Sequence, residues 1–94
     1  MNNYEALFLI KADLEKEEQD KLVESIHEEI TKRNGQLKGT QDLYKRPLAY
    51  EINKYREGLY YLVNFDALSD IINSLRDAYK LNDSILRSLI LKRG

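Results

Sequence analysis

Residues 44–65 read Y-K-R-P-L-A-Y-E-I-N-K-Y-R-E-G-L-Y-Y-L-V-N-F, and this stretch decides the fold. Leu48, Ala49, Tyr50, Glu51 and Ile52 form one strand, with Pro47 in front of it. Leu59 to Phe65 form the next, after Gly58. The segment between them, Asn53 to Glu57, is polar and compatible with a turn. Two apolar strand runs separated by a short loop containing glycine predict a β-hairpin. Four cations, Lys45, Arg46, Lys54 and Arg56, flank it, and Tyr50, Tyr55, Tyr60 and Tyr61 lie among them. Aromatic side chains interleaved with cations suit a binding surface better than a catalytic cleft.

Working outward from this hairpin, Tyr4 to Lys11 form a strand that needs cover on both sides. Tyr4, Ala6, Phe8 and Ile10 point one way, while Leu7 and Leu9 point the other. A helix follows over about Leu14 to Arg33, with Asp13 as its N-cap and an acidic first turn. Leu22, Val23, Ile26 and Ile30 make its apolar stripe. Asn34-Gly35 supplies a left-handed stop. The next strand starts near Gln36, bends at Gly39 and continues into Leu48 to Ile52. Pro47 has no amide proton and so places this strand at a sheet edge. A second helix covers about Ala67 to Lys80, capped by Asp66 or Ser69. Leu68, Ile71, Ile72, Leu75, Ala78 and Tyr79 form its buried stripe. Ile85 to Lys92 are the last strand, with Leu86, Ser88, Ile90 and Lys92 alternating against Ile85, Arg87, Leu89 and Leu91.

The order β-α-β-β-α-β, closed by right-handed crossovers, is an α+β ferredoxin-like sandwich occupying residues 1–94 as a single domain. Its four-stranded antiparallel sheet carries both helices on one face, with the first and third strands in the middle. The other face displays Leu7, Leu9, Tyr60, Leu62, Leu89 and Leu91. That is more contiguous apolar surface than a lone domain leaves in water, so another molecule is expected on it.

Composition narrows the function. The chain has 94 residues, 43% hydrophobic and 33% charged, as expected of a soluble globular domain. It has no cysteine, which removes thiol catalysis and zinc ribbons. No apolar run reaches the roughly 20 residues of a membrane span, and no signal peptide is visible after Met1. The only histidine, His27, flanks the helix stripe and is read as packing; it has no second histidine or cysteine to complete a metal site. The many carboxylates line the wet side of the first helix. No catalytic residue, metal site, cofactor or small-molecule substrate is therefore expected. The net charge of −1 requires any RNA contact to come from local basic patches or a basic partner.

Several segments together resemble bacterial small-subunit ribosomal protein six. They are Tyr4-Glu5, Asn34-Gly35, K-R-P-L-A-Y-E-I (Lys45 to Ile52), R-E-G-L-Y-Y-L-V-N-F (Arg56 to Phe65) and L-N-D-S-I-L-R-S-L-I-L-K (Leu81 to Lys92). The resemblance covers essentially the whole chain. It departs at Asn2-Asn3, where basic residues are frequent, at Leu43-Tyr44 in place of a Trp-Gly pair, and at Pro47 in place of an arginine. The resemblance implies a structural constituent of the small ribosomal subunit, cytoplasmic or organellar. Such a protein binds the central domain of small-subunit ribosomal RNA together with small-subunit ribosomal protein eighteen. Transferred to these positions, Arg46, Lys54, Arg56, Arg87, Lys92 and Arg93 face RNA. Leu48, Tyr50, Ile52, Tyr60 and Leu62 receive the partner protein. Two other readings share the fold. An autonomous RNA-recognition domain needs aromatics where Leu59 and Asn64 stand. A dimeric α+β ligand-binding or enzyme domain needs a pocket and chemistry that the lone His27 does not supply.

Overall fold

The computed structural model describes residues 1–93. The elements are β1 (Asn2–Lys11), α1 (Lys16–Thr31), β2 (Gln36–Thr40), β3 (Tyr44–Ile52), β4 (Tyr55–Ala67), a 3₁₀ turn (Ser69–Ile71), α2 (Ile72–Lys80) and β5 (Ile85–Arg93). All strand pairs are antiparallel, in the order β2-β4-β1-β5, and β3 also pairs with β4. This is the expected sandwich, with the predicted second strand broken in two.

The break is a matter of register. Leu37 faces Phe65 but Gly39 faces Asn64, so one extra residue bulges at the bend expected there. Thr40 faces Val63 and Tyr44 faces Tyr60, which inserts another. Gln41 still donates its N–H to Leu62 O at 3.0 Å before the ladder lapses. The hairpin itself is tighter than its sequence implies. Asn53 and Lys54 have φ of 48° and 70°, and Ile52 pairs directly with Tyr55. Two left-handed central residues are the signature of a type I′ turn. Tyr55, Arg56 and Glu57 therefore belong to β4 rather than to a loop, and Pro47 lies within β3 rather than before it.

α1 begins two residues later than the sequence reading places it. Glu15 and Glu18 form a reciprocal capping box, with the Glu15 N–H donating to Glu18 Oε1 at 3.2 Å. Asp13 has Lys16 three positions on and cannot build such a box; it accepts a hydrogen bond from Tyr55 Oη at 3.1 Å instead. At the other end Asn34, not Gly35, takes the left-handed conformation, at φ 67°. Asn34 N–H donates to Thr31 O and Gly35 N–H to Ile30 O, both at 3.0 Å, the paired bonds of a Schellman stop. Gly35 is needed for space: a Cβ there would lie 2.6 Å from Ile30 Cγ2 and 2.9 Å from Ile30 O.

α2 is shorter than expected, because β4 runs on to Ala67 and the chain turns through one 3₁₀ step. Neither Asp66 nor Ser69 caps it. Asp66 is held on the sheet by Asn3 Nδ2 (3.0 Å) and Lys38 Nζ (3.6 Å). Leu68 consequently falls in the turn and is exposed rather than part of the stripe, while Ile72, Leu75 and Tyr79 are buried.

The main core lies between the helices and the sheet. Phe8, Val63, Phe65, Ile26, Ile30, Leu75 and Tyr79 are at its centre. Phe8 and Tyr79 meet edge-to-face at 4.7 Å. Tyr79 donates to Ile26 O at 2.8 Å, so the buried phenol is satisfied and ties α2 to α1. Arg33, in the turn that follows α1, donates from Nε to Ser74 Oγ of α2 at 3.0 Å at the surface.

Two backbone positions give predictions of opposite sign. Gly35→Ala forces its methyl against Ile30 and is expected to destabilise the fold by about 1–3 kcal/mol. Lys54→Gly relieves a left-handed side chain that costs about 1–2 kcal/mol, less the extra chain entropy of glycine. It is expected to stabilise by about 0.5–1 kcal/mol. Urea-denaturation midpoints at unchanged m check both.

Candidate protein and nucleic-acid interface

The open face is read most simply as rows across the strands, since residues paired in register share a face. At one end Asp66, Asn3 and Arg93 form a polar row. The next is Asn64, Glu5 and Leu91, and then comes an aliphatic row of Leu62, Leu7 and Leu89. The fourth row runs Tyr44, Tyr60, Leu9 and Arg87 across four strands. Leu89 is 52% and Leu91 46% exposed, so the aliphatic rows are open to water towards β5.

The hairpin closes the other end. Between Pro47–Glu57 and Ile52–Tyr55, β3 advances five residues while β4 advances two. The intervening residues, Leu48 to Glu51, leave the ladder and bring the arm over the sheet. Leu9, Ile52 and Leu86 form a second small core there, with Leu48, Tyr55 and Tyr60 packed against it. A Cβ on Gly58 would strike Leu9 Cδ1 and lie 3.3 Å from Leu48 Cδ2, so the meeting of the β1 and arm side chains over this point leaves no room for one. Leu86 joins this cluster because a bulge in the β1–β5 ladder sets Ile85 opposite Ile10 and Arg87 opposite Leu9. The simple alternation read from the sequence, with Leu86 in phase with Ser88 and Ile90, is broken at that point.

These features sort the predicted partner residues. Ile52 is 8% exposed and spent inside the arm, whereas Tyr50 is 70% exposed on its outer side. Leu48, Tyr60 and Leu62 are half-buried. Leu89 and Leu91, which the sequence reading placed on the open face but not in the interface, are its most exposed leucines.

The predicted RNA-facing cations do not form one patch. Lys54 occupies the hairpin tip, and Arg56 beside it approaches Glu51 at 3.9 Å. Arg46 faces Gly58 on the arm's base, and Arg87 lies across the sheet on β5. Arg93 is at the far end of the open face, 3.8 Å from Glu5. Lys92 pairs with Tyr4 in register and so projects to the helix side of β5. What the sequence reading missed is a stack: the Tyr44 and Tyr60 rings lie 5.6 Å apart and 18° from parallel, with the Arg46 guanidinium 6.0 Å from the Tyr44 ring centre. The signal was the period-two spacing of Tyr44 and Arg46, hidden by treating Pro47 as the strand's boundary.

A cleft of about 460 Å³ lies elsewhere, between α1 and the β2–β3 junction, lined by Val23, His27, Thr40, Gln41, Leu43 and Tyr61 among others. His27 Nε2 and Tyr61 Oη are 2.7 Å apart. Burial holds the imidazole below its ordinary pKa and pushes the phenol above its own. The pair therefore joins a neutral imidazole to a protonated phenol, a helix-to-sheet tie. Among the described residues no cluster of three or more His, Cys, Asp or Glu side chains is placed to hold a metal. No described helix is long and apolar enough to cross a membrane.

With this geometry in hand, comparison with known proteins is specific. The sequence model of the family described as Ribosomal protein S6 matches residues 3–92. The chain is 36% identical over 92 residues to small ribosomal subunit protein bS6 of Caldanaerobacter subterraneus subsp. tengcongensis, covering 98% of this chain and 97% of that one. It is 38% identical to the bS6 proteins of Moorella thermoacetica and Helicobacter acinonychis. It spans 94% of the Moorella protein and 65% of the longer Helicobacter one. The crystal structure of 30S ribosomal protein S6 from Thermotoga maritima superposes with a TM-score of 0.92 at 29% identity, covering 98% of this chain and 87% of that one.

The His27–Tyr61 tie leaves a signature in stability. The imidazole is held below the 6.5 of an unfolded chain, so the unfolded state takes up the proton first as pH falls. Its contribution is complete above pH 6.5 and is lost as pH drops through that value towards the lower folded pKa. Denaturation midpoints between pH 7.5 and 5 are expected to fall for the native chain and to fall less for His27→Gln. Equal slopes would remove the role of His27.

Proposed function

Because the chain belongs to the ribosomal protein S6 family, whose members are structural proteins of the small ribosomal subunit and not enzymes, we propose that it binds the central domain of small-subunit ribosomal RNA jointly with small-subunit ribosomal protein eighteen. It does so on the ribosome, cytoplasmic or organellar. The observation that carries this reading is the open sheet face. Its aliphatic row, Leu62–Leu7–Leu89, is half-buried on β4 and β1 and opens to water at Leu89 on β5, next to the exposed Leu91; the hairpin arm covers only the neighbouring end of the face. An apolar strip of that kind is stable on a protein that spends its life against another. Tyr60, Leu62, Leu48 and the outward Tyr50 continue it, and Ile52 supports it from inside the arm.

The net charge of −1 fits joint binding. An RNA-binding protein acting alone and non-specifically is usually basic, whereas here a basic partner supplies the excess. Arg46, Lys54, Arg56 and Arg87 then offer RNA contacts around the hairpin end, with Lys92 and Arg93 as a separate group at the end of β5. The arginines suit bidentate phosphate recognition.

A tagged chain expressed in bacterial cells is expected to travel with small subunits on a sucrose gradient and to move to the top when ribosomal protein eighteen is depleted. Arg46→Ala and Arg87→Ala are expected to weaken RNA binding by the pair and to leave pairing intact. Each lost phosphate contact lowers the slope of log affinity against log salt by about 0.7–0.9. Sedimentation as a free species in cells that contain the partner, or native salt slopes in both variants, would overturn the assignment.

A further inference from the structure

The Tyr44–Tyr60–Arg46 stack stands on the open face at the edge of the second core. Tyr60 is anchored from below by the cluster of Leu9, Ile52 and Leu86, so its ring is fixed. Tyr44 rests on it at the sheet edge and is still 39% exposed. Among the described residues neither phenol hydrogen-bonds another group of the protein, so both oxygens remain available. Arg46 sits at the outer limit of a cation–π contact, with its side chain in solvent. Two near-parallel rings, one backed by the second core and one presented outward, with an exposed guanidinium at the rim, make a preformed surface for a third planar group.

We propose that Tyr44, backed by Tyr60 and rimmed by Arg46, is a stacking platform for one unpaired base of an RNA. Resting on the RNA-binding reading above, this assigns a mode of contact that phosphate pairing does not supply. Every base has a π-face, so the site accepts any unstacked nucleotide, and its tyrosines add affinity without reading sequence. Charge favours RNA over an apolar peptide: Arg46 lies at one end of the row, and Arg87 lies three interstrand steps from Tyr44, about 14 Å across the sheet. A backbone crossing the row meets a guanidinium on either side of the stacked base. Arg46 is then placed to cover the base or to take its phosphate.

The test uses the chain paired with ribosomal protein eighteen and a central-domain ribosomal RNA fragment as the probe. Tyr44→Ala is expected to lower affinity on the order of 10- to 100-fold with the salt slope unchanged, because stacking releases no counterions. Tyr44→Phe and Tyr44→Trp are expected to restore it. Tyr44→Leu, which keeps an apolar cover over Tyr60, is expected to bind as poorly as Tyr44→Ala and guards against a trivial folding defect. Native affinity in Tyr44→Leu, with Arg87→Ala still impaired, would overturn the platform and leave joint RNA binding standing. Loss of pairing with ribosomal protein eighteen in Tyr44→Leu would overturn it in favour of a protein anchor. Absence of RNA binding by the native pair would remove both readings together.

Discussion

The β1–β4 ladder holds the rest of the structure in place. Ten successive pairs run from Asn2–Ala67 to Lys11–Gly58 without a slip. Each pair sends its two side chains to the same side, so one uninterrupted register decides what every residue of the two central strands meets. Tyr4, Ala6, Phe8 and Ile10 stand with Leu59, Tyr61, Val63 and Phe65 against the helices. Asn3, Glu5, Leu7 and Leu9 stand with Tyr60, Leu62, Asn64 and Asp66 on the other face. A one-residue slip would exchange the two sets and expose the main core. The irregularities of the sheet are all displaced outward, to β2, β3 and β5, where a bulge redirects an edge without disturbing that division.

Those outer bulges make the open face asymmetric. Three surplus residues in β3 let the arm fold over Leu9 and Leu86, and the Asn53-Lys54 turn ends the arm before it can extend farther. One end of the face is thereby a second core that the domain supplies for itself. The other end keeps its leucines half in water. The boundary between them is the row of Tyr44, Tyr60, Leu9 and Arg87, where side chains anchored on one flank present rings and charge on the other. Tyr60, held this way, loses little freedom when a partner arrives, since its ring is already packed against the second core.

The sequence was legible wherever local periodicity and tertiary need coincide. The alternation in Tyr4 to Lys11 and Leu59 to Phe65, and the stripe of Leu22, Ile26 and Ile30, named the core correctly because buried faces demand those periods. It failed where one residue changes the phase. Leu86 was assigned by simple alternation, and the bulge opposite Leu9–Ile10 moved it to the other core. Leu68 was added to a helix stripe because it is apolar, although β4 continued through Ala67 and left it in a turn. The turn at Asn53-Lys54 lacked the usual glycine, so a two-residue connection was read as a five-residue loop. Each of these misses concerns the phase or the length of an element rather than its existence. Ladder hydrogen bonds and long-range packing set such lengths, and neither is local in sequence.

The cations show what the fold contributes beyond composition. In sequence, Lys92 and Arg93 are adjacent and read as one basic end. In the sheet, the pleat sends Lys92 towards the helix side and Arg93 to the open face, where Glu5 already partly neutralises it. Arg56 is likewise near Glu51, while Arg46, Arg87, Lys54 at the hairpin tip and Lys92 on the helix side have no carboxylate partner among the ion pairs of the described residues. Nucleic acid gains most from charges that are not already compensated, because a paired arginine must first give up its carboxylate. Arg46 and Arg87 are also the two that bracket the tyrosine row. Uncompensated guanidinium charge and the exposed aromatic surface therefore meet in one strip of the open face, although the chain as a whole carries a net negative charge.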